Sequence, residues 1–217
     1  MYMVLMITQK QLKLYKYNMS TKIKICGITN LKDAIDAIEA GANALGFVFY
    51  HKSPRYIEPL EAKKIIEQLP PFVQSIGLFV NEDALHINQI SEITKIDMAQ
   101  IHFEASQELY DNLDVKYIKV IRAQKQEDIP TPNEEYILVD AFVESFGGEG
   151  KRLNLEWFEG IDCSKMILAG GLSSENLTEL NDFNFYGVDV SSAVEKEKGL
   201  KDKQKMISFC KNAKEIS

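Results

Sequence analysis

Cys26 and Asp140, each at the end of a short apolar segment, are the residues best suited to proton transfer. A thiolate can remove a proton from carbon, and a carboxylic acid kept neutral by apolar surroundings can donate one. Lys24 lies on the same side of its segment as Cys26 if that segment is a strand, and its charge would favour the thiolate. Structural interpretations also exist: a core thiol, a loop-capping aspartate and a lysine paired with an internal acid. The residue types alone do not decide between the catalytic and the structural interpretations.

Two loops could bind substrate or enclose it. Arg55 follows Pro54, and a guanidinium on a stiffened loop suits a two-pronged hydrogen bond to a carboxylate. A solvated basic loop is the alternative. The stretch 146–151, which follows Asp140, has three glycines in four positions. It predicts a mobile lid that excludes water, with an exposed surface loop as the alternative.

Two turns of small residues late in the chain are suited to an anion. Gly170-Gly171 follows one apolar segment, and Ser191-Ser192-Ala193 follows the next. Glycine lets backbone N–H groups approach an anion closely, and helix amino termini favour negative charge. The pair of turns therefore predicts a phosphate site, although two tight turns without a ligand would have a similar sequence.

These residues must be positioned by an alternating series of strands and helices. From residue 22 onward, short runs rich in Val, Ile, Leu and aromatic residues resemble buried parallel strands. The predicted strands are 22–28, 44–49, 74–80, 98–102, 117–122, 136–142, 166–170 and 186–191. The clearest predicted helices are 31–40, 59–69, 83–94, 174–180 and 201–211, the fourth with Ser173 or Ser174 as its N-cap.

Eight strands, each followed by a crossover, predict a compact (β/α)₈ TIM barrel, an α/β fold, as a single domain over residues 21–217. A doubly wound open sheet is the competing architecture. In a barrel, active-site groups come from the carboxyl ends of the strands. Cys26, His102, Asp140 and both small-residue turns occupy such ends. Residues 1–20 are predicted to be an amino-terminal extension, with 1–18 dispensable.

Composition narrows the class of partner. The 217 residues carry 25 Lys and Arg against 32 Asp and Glu, a formal charge of −7, which gives no reason to expect a nucleic acid or an anionic membrane. Three separated cysteines and three histidines without metal-ligand spacing predict no disulfide framework and no metal. A reducing, cytoplasmic setting is the expectation.

Seven motifs, in order along the chain, closely resemble the phosphoribosylanthranilate isomerase family of tryptophan biosynthesis. They are KICGIT at 24–29, GANALGFVF at 41–49, KSPRY at 52–56, QIH at 100–102, LAGGL at 168–172, GVDVSS at 187–192 with Glu195, and GLKD at 199–202. The resemblance implies a TIM barrel without cofactor or metal. It also implies an Amadori rearrangement of N-(5′-phosphoribosyl)anthranilate to 1-(2-carboxyphenylamino)-1-deoxyribulose 5-phosphate.

The resemblance assigns roles by position. Asp140 is implied to be the general acid that opens the ribose ring, and Cys26 the general base that takes the C2′ proton. Arg55 is implied to hold the anthranilate carboxylate. His102 and Asp189 are placed near the substrate. The phosphate is implied to lie at the turns, which comprise Gly170, Gly171, Ser191, Ser192 and Ala193.

Three positions depart from the family pattern. Phe103 and Glu104 follow the histidine where a glycine and an acid are usual, Glu149 replaces a threonine, and Ala193 replaces a glycine. If position 193 needed a positive φ, alanine would cost on the order of 1 kcal/mol and weaken phosphate binding.

Two other functions stay open at this stage. An isomerase of histidine synthesis performs the same rearrangement on another phosphoribosyl amine, but that family has aspartate where Cys26 stands. A non-catalytic phosphosugar-binding barrel is the second, and the three departures are its support. The sequence predicts a small-molecule substrate and leaves monomer and homodimer as alternatives.

Overall fold

The computed structural model of the chain describes residues 20–131, 134–141 and 152–216. The glycine-rich stretch 146–151, with Glu149, lies outside these residues, as does residue 142, the last of the sixth predicted strand. Of the expected amino-terminal extension only Ser20 is described.

Eight parallel strands form a closed barrel in the order of the chain. Strand β1 pairs with β2 on one side and with β8 on the other, which closes the sheet and excludes a doubly wound arrangement. The prediction of a (β/α)₈ barrel is therefore confirmed. The barrel strands are β1 (Lys22–Cys26), β2 (Ala44–Val48), β3 (Gln74–Phe79), β4 (Met98–Ile101), β5 (Tyr117–Ala123), β6 (Ile137–Ala141), β7 (Met166–Leu168) and β8 (Gly187–Val190).

The α-helices of the described chain vary in length, and several crossovers are reduced to turns. The helices are α1 (Leu31–Ala40), α2 (Pro59–Ile66), α3 (Ala84–Thr94), α4 (Gln107–Asp111) and α5 (Lys203–Lys214). The 3₁₀ turns are Gln126–Asp128, Leu155–Phe158, Leu177–Leu180 and Ser192–Val194. A short hairpin of β9 (Glu195–Glu197) and β10 (Leu200–Lys201) precedes the last helix.

Two predicted helices need correction. The helix expected at 174–180, with its serine N-cap, is only a 3₁₀ turn. Asn176 accepts from the Ser173 amide at 3.0 Å and donates to the Gly171 carbonyl at 2.9 Å, and such local bonds compete with helix formation. The helix expected from residue 201 begins two residues later, because the Asp202 side chain accepts from the amides of Gln204 and Lys205.

The apolar side chains form one large and two small clusters. The large cluster joins strands to helices, with Ala34 and Phe209 from α1 and α5, and therefore lies between the barrel and its outer layer. The small clusters contain no helical residue and fill the barrel itself. Cys26 belongs to one of them.

None of the helices in the described part of the chain combines the length and the apolar composition needed to span a bilayer.

Candidate active site

Cys26 ends β1 at the mouth of the barrel and is only 5% exposed. Its neighbour in the ladder is Gly46 of β2. A Cβ at Gly46 would lie 2.7 Å from the Cys26 sulfur, so glycine makes room for the thiol. Gly27, the next residue, has a φ of +81° and turns the chain away from the strand. The thiol position is thus fixed by the backbones of two adjacent strands.

Lys24 and Asp189 form an ion pair inside the barrel, one from β1 and one from β8. The Lys24 Nζ lies 3.0 Å from each oxygen of the Asp189 carboxylate, and both residues are buried. Burial lowers the pKa of Lys24, but pairing with the Asp189 carboxylate opposes that effect, and the pKa stays above its ordinary value. Lys24 is therefore a permanent cation beneath the mouth.

The pKa of the Cys26 thiol results from opposed effects. Burial raises it above its ordinary value, and the Asp189 carboxylate adds to the rise. The charges of Lys24 and Lys201, together with a hydrogen bond to Lys24, oppose the rise. The predicted proximity of Lys24 and Cys26 is thus present, while the free thiol is held in its protonated form.

Asp140 lies near the end of β6, beside His102, which directly follows β4. The His102 Nε2 and an Asp140 oxygen are 3.7 Å apart. Burial, reinforced by the charge of Asp189, raises the pKa of Asp140 to about 7. Burial and the cations Arg122 and Lys24 lower the pKa of His102 to about 3, so the imidazole is neutral. Its Nδ1 is 3.2 Å from the Gln100 amide nitrogen, which fixes the ring.

Arg122 of β5 is a residue of the barrel mouth that was not predicted from the sequence. It stands opposite Asp140 in the ladder of β5 and β6, and its charge lowers the pKa of Asp140. With Phe103 and Glu104 it lines a cavity of about 700 Å³. The available signal was an arginine in the second half of an apolar strand, at the barrel end where the other polar residues gather.

Arg55 is buried, and its two-pronged grip is made inside the chain. Its Nε and Nη2 donate to the two oxygens of Glu195 at 2.7 and 2.8 Å. The fork that was predicted for a substrate carboxylate is therefore engaged. Spacing along the sequence does not reveal this pairing, because 140 positions separate the two residues.

The two small-residue turns follow adjacent strands, β7 and β8. Gly170 and Gly171 have φ values of +85° and +63°, a conformation that favours glycine. The Ser191 hydroxyl donates to the Cys26 carbonyl at 3.1 Å and so attaches the second turn to β1. Ser192 and Ala193 belong to the 3₁₀ turn, and Ala193 does not have a positive φ. The strain considered for alanine at this position is absent.

The closed (β/α)₈ barrel has the architecture of a TIM-barrel enzyme. One end of it carries a buried thiol, a carboxyl group with a pKa of about 7 and two glycine-containing turns. The sequence profile of the family described as N-(5′phosphoribosyl)anthranilate (PRA) isomerase matches residues 23–212. The chain belongs to this family. It is an isomerase of tryptophan biosynthesis, and its reaction is an Amadori rearrangement.

Individual relatives agree with the family match. The chain is 55% identical over 195 residues to the N-(5′-phosphoribosyl)anthranilate isomerase of Sulfurovum sp. strain NBC37-1, covering 90% of this chain and 100% of the relative. A solved phosphoribosyl anthranilate isomerase, in complex with reduced 1-(o-carboxyphenylamino)-1-deoxyribulose 5-phosphate, is 37% identical with a TM-score of 0.78 over 90% of this chain and 99% of that one. The Thermotoga maritima enzyme is 35% identical with the same TM-score and coverage.

Proposed function

We propose that Asp140 and Cys26 are the general acid and the general base of the Amadori rearrangement of N-(5′-phosphoribosyl)anthranilate. The observation that carries this assignment is their place in the fold: Cys26 ends β1 and Asp140 is the last residue but one of β6, so both lie at the carboxyl end of one closed parallel barrel. The charges of Lys24 and Asp189 act on the pKa of both groups. Asp140, with its pKa raised to about 7, retains a proton to donate near neutral pH.

The chemistry needs one proton donated and one removed. The Asp140 carboxyl group protonates the ribose ring oxygen, and the C1′–O bond breaks to give an open-chain iminium ion. Cys26, as the thiolate whose proton has passed to solvent, then removes the C2′ proton. The C–H electron pair forms the C1′–C2′ double bond, and the C1′=N pair moves to the nitrogen and neutralises it. The resulting enol tautomerises to the ketone. The iminium charge favours the thiolate at the moment of proton abstraction, which offsets the effect of burial on the pKa of Cys26.

Substrate anions are proposed to bind on either side of this pair. The turns at Gly170-Gly171 and Ser191-Ser192-Ala193 take the phosphate, supported by their place after adjacent strands. Arg55 takes the anthranilate carboxylate through Nη1, because Nε and Nη2 are bound to Glu195. His102 and Asp189 lie near the substrate, His102 beside the acid and Asp189 paired with Lys24.

Substitution of the two proton-transfer residues tests the assignment. We expect Cys26→Ser and Asp140→Asn each to lower kcat by about a hundredfold to ten-thousandfold while the fold survives. The measurement follows the fluorescence of freshly prepared phosphoribosylanthranilate, with circular dichroism as the check on folding.

Matched controls make the same chemical changes elsewhere. Cys210→Ser alters a buried thiol of α5, and Asp182→Asn alters an exposed carboxylate, so both should retain turnover. A Cys26 or Asp140 variant with near-normal kcat would refute its assigned role. A wild-type chain that binds the substrate without turnover would instead favour the non-catalytic barrel.

We also propose that the enzyme acts in the cytoplasm on its small-molecule substrate alone, without nucleic acid or membrane, as a monomer or a homodimer. Support for a reducing compartment comes from the three cysteines, which are all unpaired and buried. The fully exposed Phe72 gives a homodimer a candidate contact. Sedimentation velocity over a hundredfold range of concentration distinguishes the two oligomeric states.

A further inference from the structure

Lys201 is a buried cation that has no role in the proposed proton transfers. It lies in β10, within the motif at 199–202, and its side chain is fully buried. Its Nζ donates to the Glu195 carboxylate at 2.9 Å and to the backbone carbonyl of Ser191 at 3.1 Å. A buried lysine is costly unless it is paired, and pairing alone would not require the second of these bonds.

The bond to Ser191 fixes the direction of a peptide group in the turn. In a trans peptide the C=O and the following N–H point in opposite directions. Because the Ser191 carbonyl points at a buried ammonium group, the N–H of Ser192 points away from it. Ser192 itself is partly exposed. The cation also polarises the peptide and so strengthens its N–H as a donor.

The same ammonium group ties the turn to the rest of the mouth. Glu195 accepts hydrogen bonds from Lys201 and Arg55, so one carboxylate connects the second turn with the Arg55 loop. The Lys201 backbone amide donates to Asp33 of α1 at 2.7 Å, which holds β10 in place. The charge of Lys201 reaches the Cys26 thiol as well, where it lowers the pKa of that group.

We propose that Lys201 is a positioning residue for the substrate phosphate: by holding the Ser191 carbonyl it directs the Ser192 N–H towards the phosphate group. This inference rests on the phosphate site of the proposed function. Two roles of the buried lysine are distinguished by their effects. A lysine that only neutralises Glu195 would affect stability, whereas a positioning lysine affects the binding of phosphate.

The test uses Lys201→Met in the full chain, with inorganic phosphate as the probe. Arg55 still pairs with Glu195 in this variant, so no carboxylate is left without a cation. We expect KM for the substrate and Ki for phosphate to rise about tenfold, the effect of losing one hydrogen bond to a charged group, with kcat falling less than KM rises, because loss of the Lys201 charge also raises the pKa of the Cys26 thiol. Inhibition by anthranilate, which has no phosphate, should be unchanged.

Lys203→Met is the matched control. It removes the same charge two residues along, where the partly exposed ammonium group pairs with the buried Asp36 and the exposed Glu39, and its phosphate Ki should equal that of the wild type. An unchanged phosphate Ki in folded Lys201→Met would overturn the inference. So would an equal loss of affinity for phosphate and anthranilate, because that result indicates a general structural role.

A measurement on the wild-type chain covers the case in which the variant does not fold. Titration with inorganic phosphate should shift the ¹H–¹⁵N resonance of the Ser192 amide, and absence of that shift while phosphate binds would overturn the inference. If phosphate at millimolar concentration neither inhibits the wild type nor shifts any amide of the two turns, the proposed phosphate site itself fails.

Discussion

Burial raises the pKa of both the acid and the base at the barrel mouth, which favours the function of the acid and opposes that of the base. It raises the pKa of Asp140 to about 7, which keeps a donatable proton on the carboxyl group near neutral pH. It also raises the pKa of Cys26, which disfavours the thiolate that the base needs. Lys24 opposes the second effect from a fixed position in the ion pair with Asp189. Lys24 also lowers the pKa of Asp140, but burial and the Asp189 charge outweigh that effect, so the acid keeps its proton.

The pKa of Asp140 predicts that kcat decreases at alkaline pH. Above pH 7 the carboxyl group loses the proton that opens the ribose ring, so kcat should fall with rising pH, approaching about tenfold per unit. Single-turnover rates measured between pH 5.5 and 9 isolate this step from product release. A rate that stays constant up to pH 9 would exclude Asp140 as the acid.

The same group should make the fold less stable as pH rises. Its folded pKa of about 7 lies above the ordinary value of 3.8, so between these values the folded state holds a proton that the unfolded state has lost. Stability that is present at low pH is therefore lost as pH rises towards 7. We expect wild type to lose roughly 2 kcal/mol relative to Asp140→Asn between pH 5 and pH 8. Urea denaturation of both proteins at the two pH values measures this difference in the free energy of unfolding. An equal change of stability with pH in the two proteins would contradict the prediction.

The site residues were predictable where a residue type stood out at a strand end, as for Cys26 and Asp140. Their pairings were not predictable, because they depend on how distant segments meet. Arg55 was expected to keep its fork open for substrate, and Glu195 occupies it across the closed barrel. Arg122 was missed because one arginine in an apolar strand resembles an ordinary exposed position until the barrel brings it opposite Asp140.

At the scale of elements, the strands were easier to predict than the helices. Buried parallel strands are short apolar runs of sequence, and each of the eight barrel strands lies within one of the predicted runs or overlaps it. Among the described residues, the crossovers after β5, β6 and β7 contain short 3₁₀ turns, whose sequences have too few residues to show helical periodicity. Side-chain bonds such as those of Asn176 then decide the local structure, and spacing alone does not reveal them.

The close contact of β1 and β2 makes Gly46 a sensitive position. A Cβ there would lie 2.7 Å from the Cys26 sulfur and 3.0 Å from its Cα, so Gly46→Ala must displace the thiol. We expect kcat to fall at least about tenfold and stability to fall by roughly 1–3 kcal/mol, as in other overpacked cores. Gly160→Ala is the control for kcat: its Cβ would meet no atom within 4 Å, so turnover should stay at the wild-type level, while its φ of +75° lowers stability by about 1 kcal/mol. Steady-state kinetics and thermal unfolding of both variants measure the effects. Wild-type kcat in Gly46→Ala would show that the thiol position is not restricted.

At the scale of the whole molecule, closure of the barrel is what assembles the site. Strand β8 lies beside β1, which brings Asp189 to Lys24 and Ser191 to Cys26. These contacts join residues 165 positions apart, so the mouth forms only when the last strand meets the first. The beginning of β1 is therefore indispensable to the site as well as to the fold.

The expectation that residues 1–18 are dispensable can be tested at this boundary. The family match begins at residue 23, and the Lys22 amide already bonds to the Tyr186 carbonyl at 3.0 Å. A chain that starts at Met19 keeps every contact that β1 makes within the described residues, so we expect wild-type kcat/KM within about twofold and a Tm within a few degrees. A chain that starts at Lys24 loses the pairing of Lys22 with Gly187 and of Ile23 with Val188, and it should aggregate because the barrel cannot close. Soluble expression, thermal unfolding and turnover of the two truncations measure this. An insoluble or inactive chain from Met19 would show that the first 18 residues are part of the working enzyme.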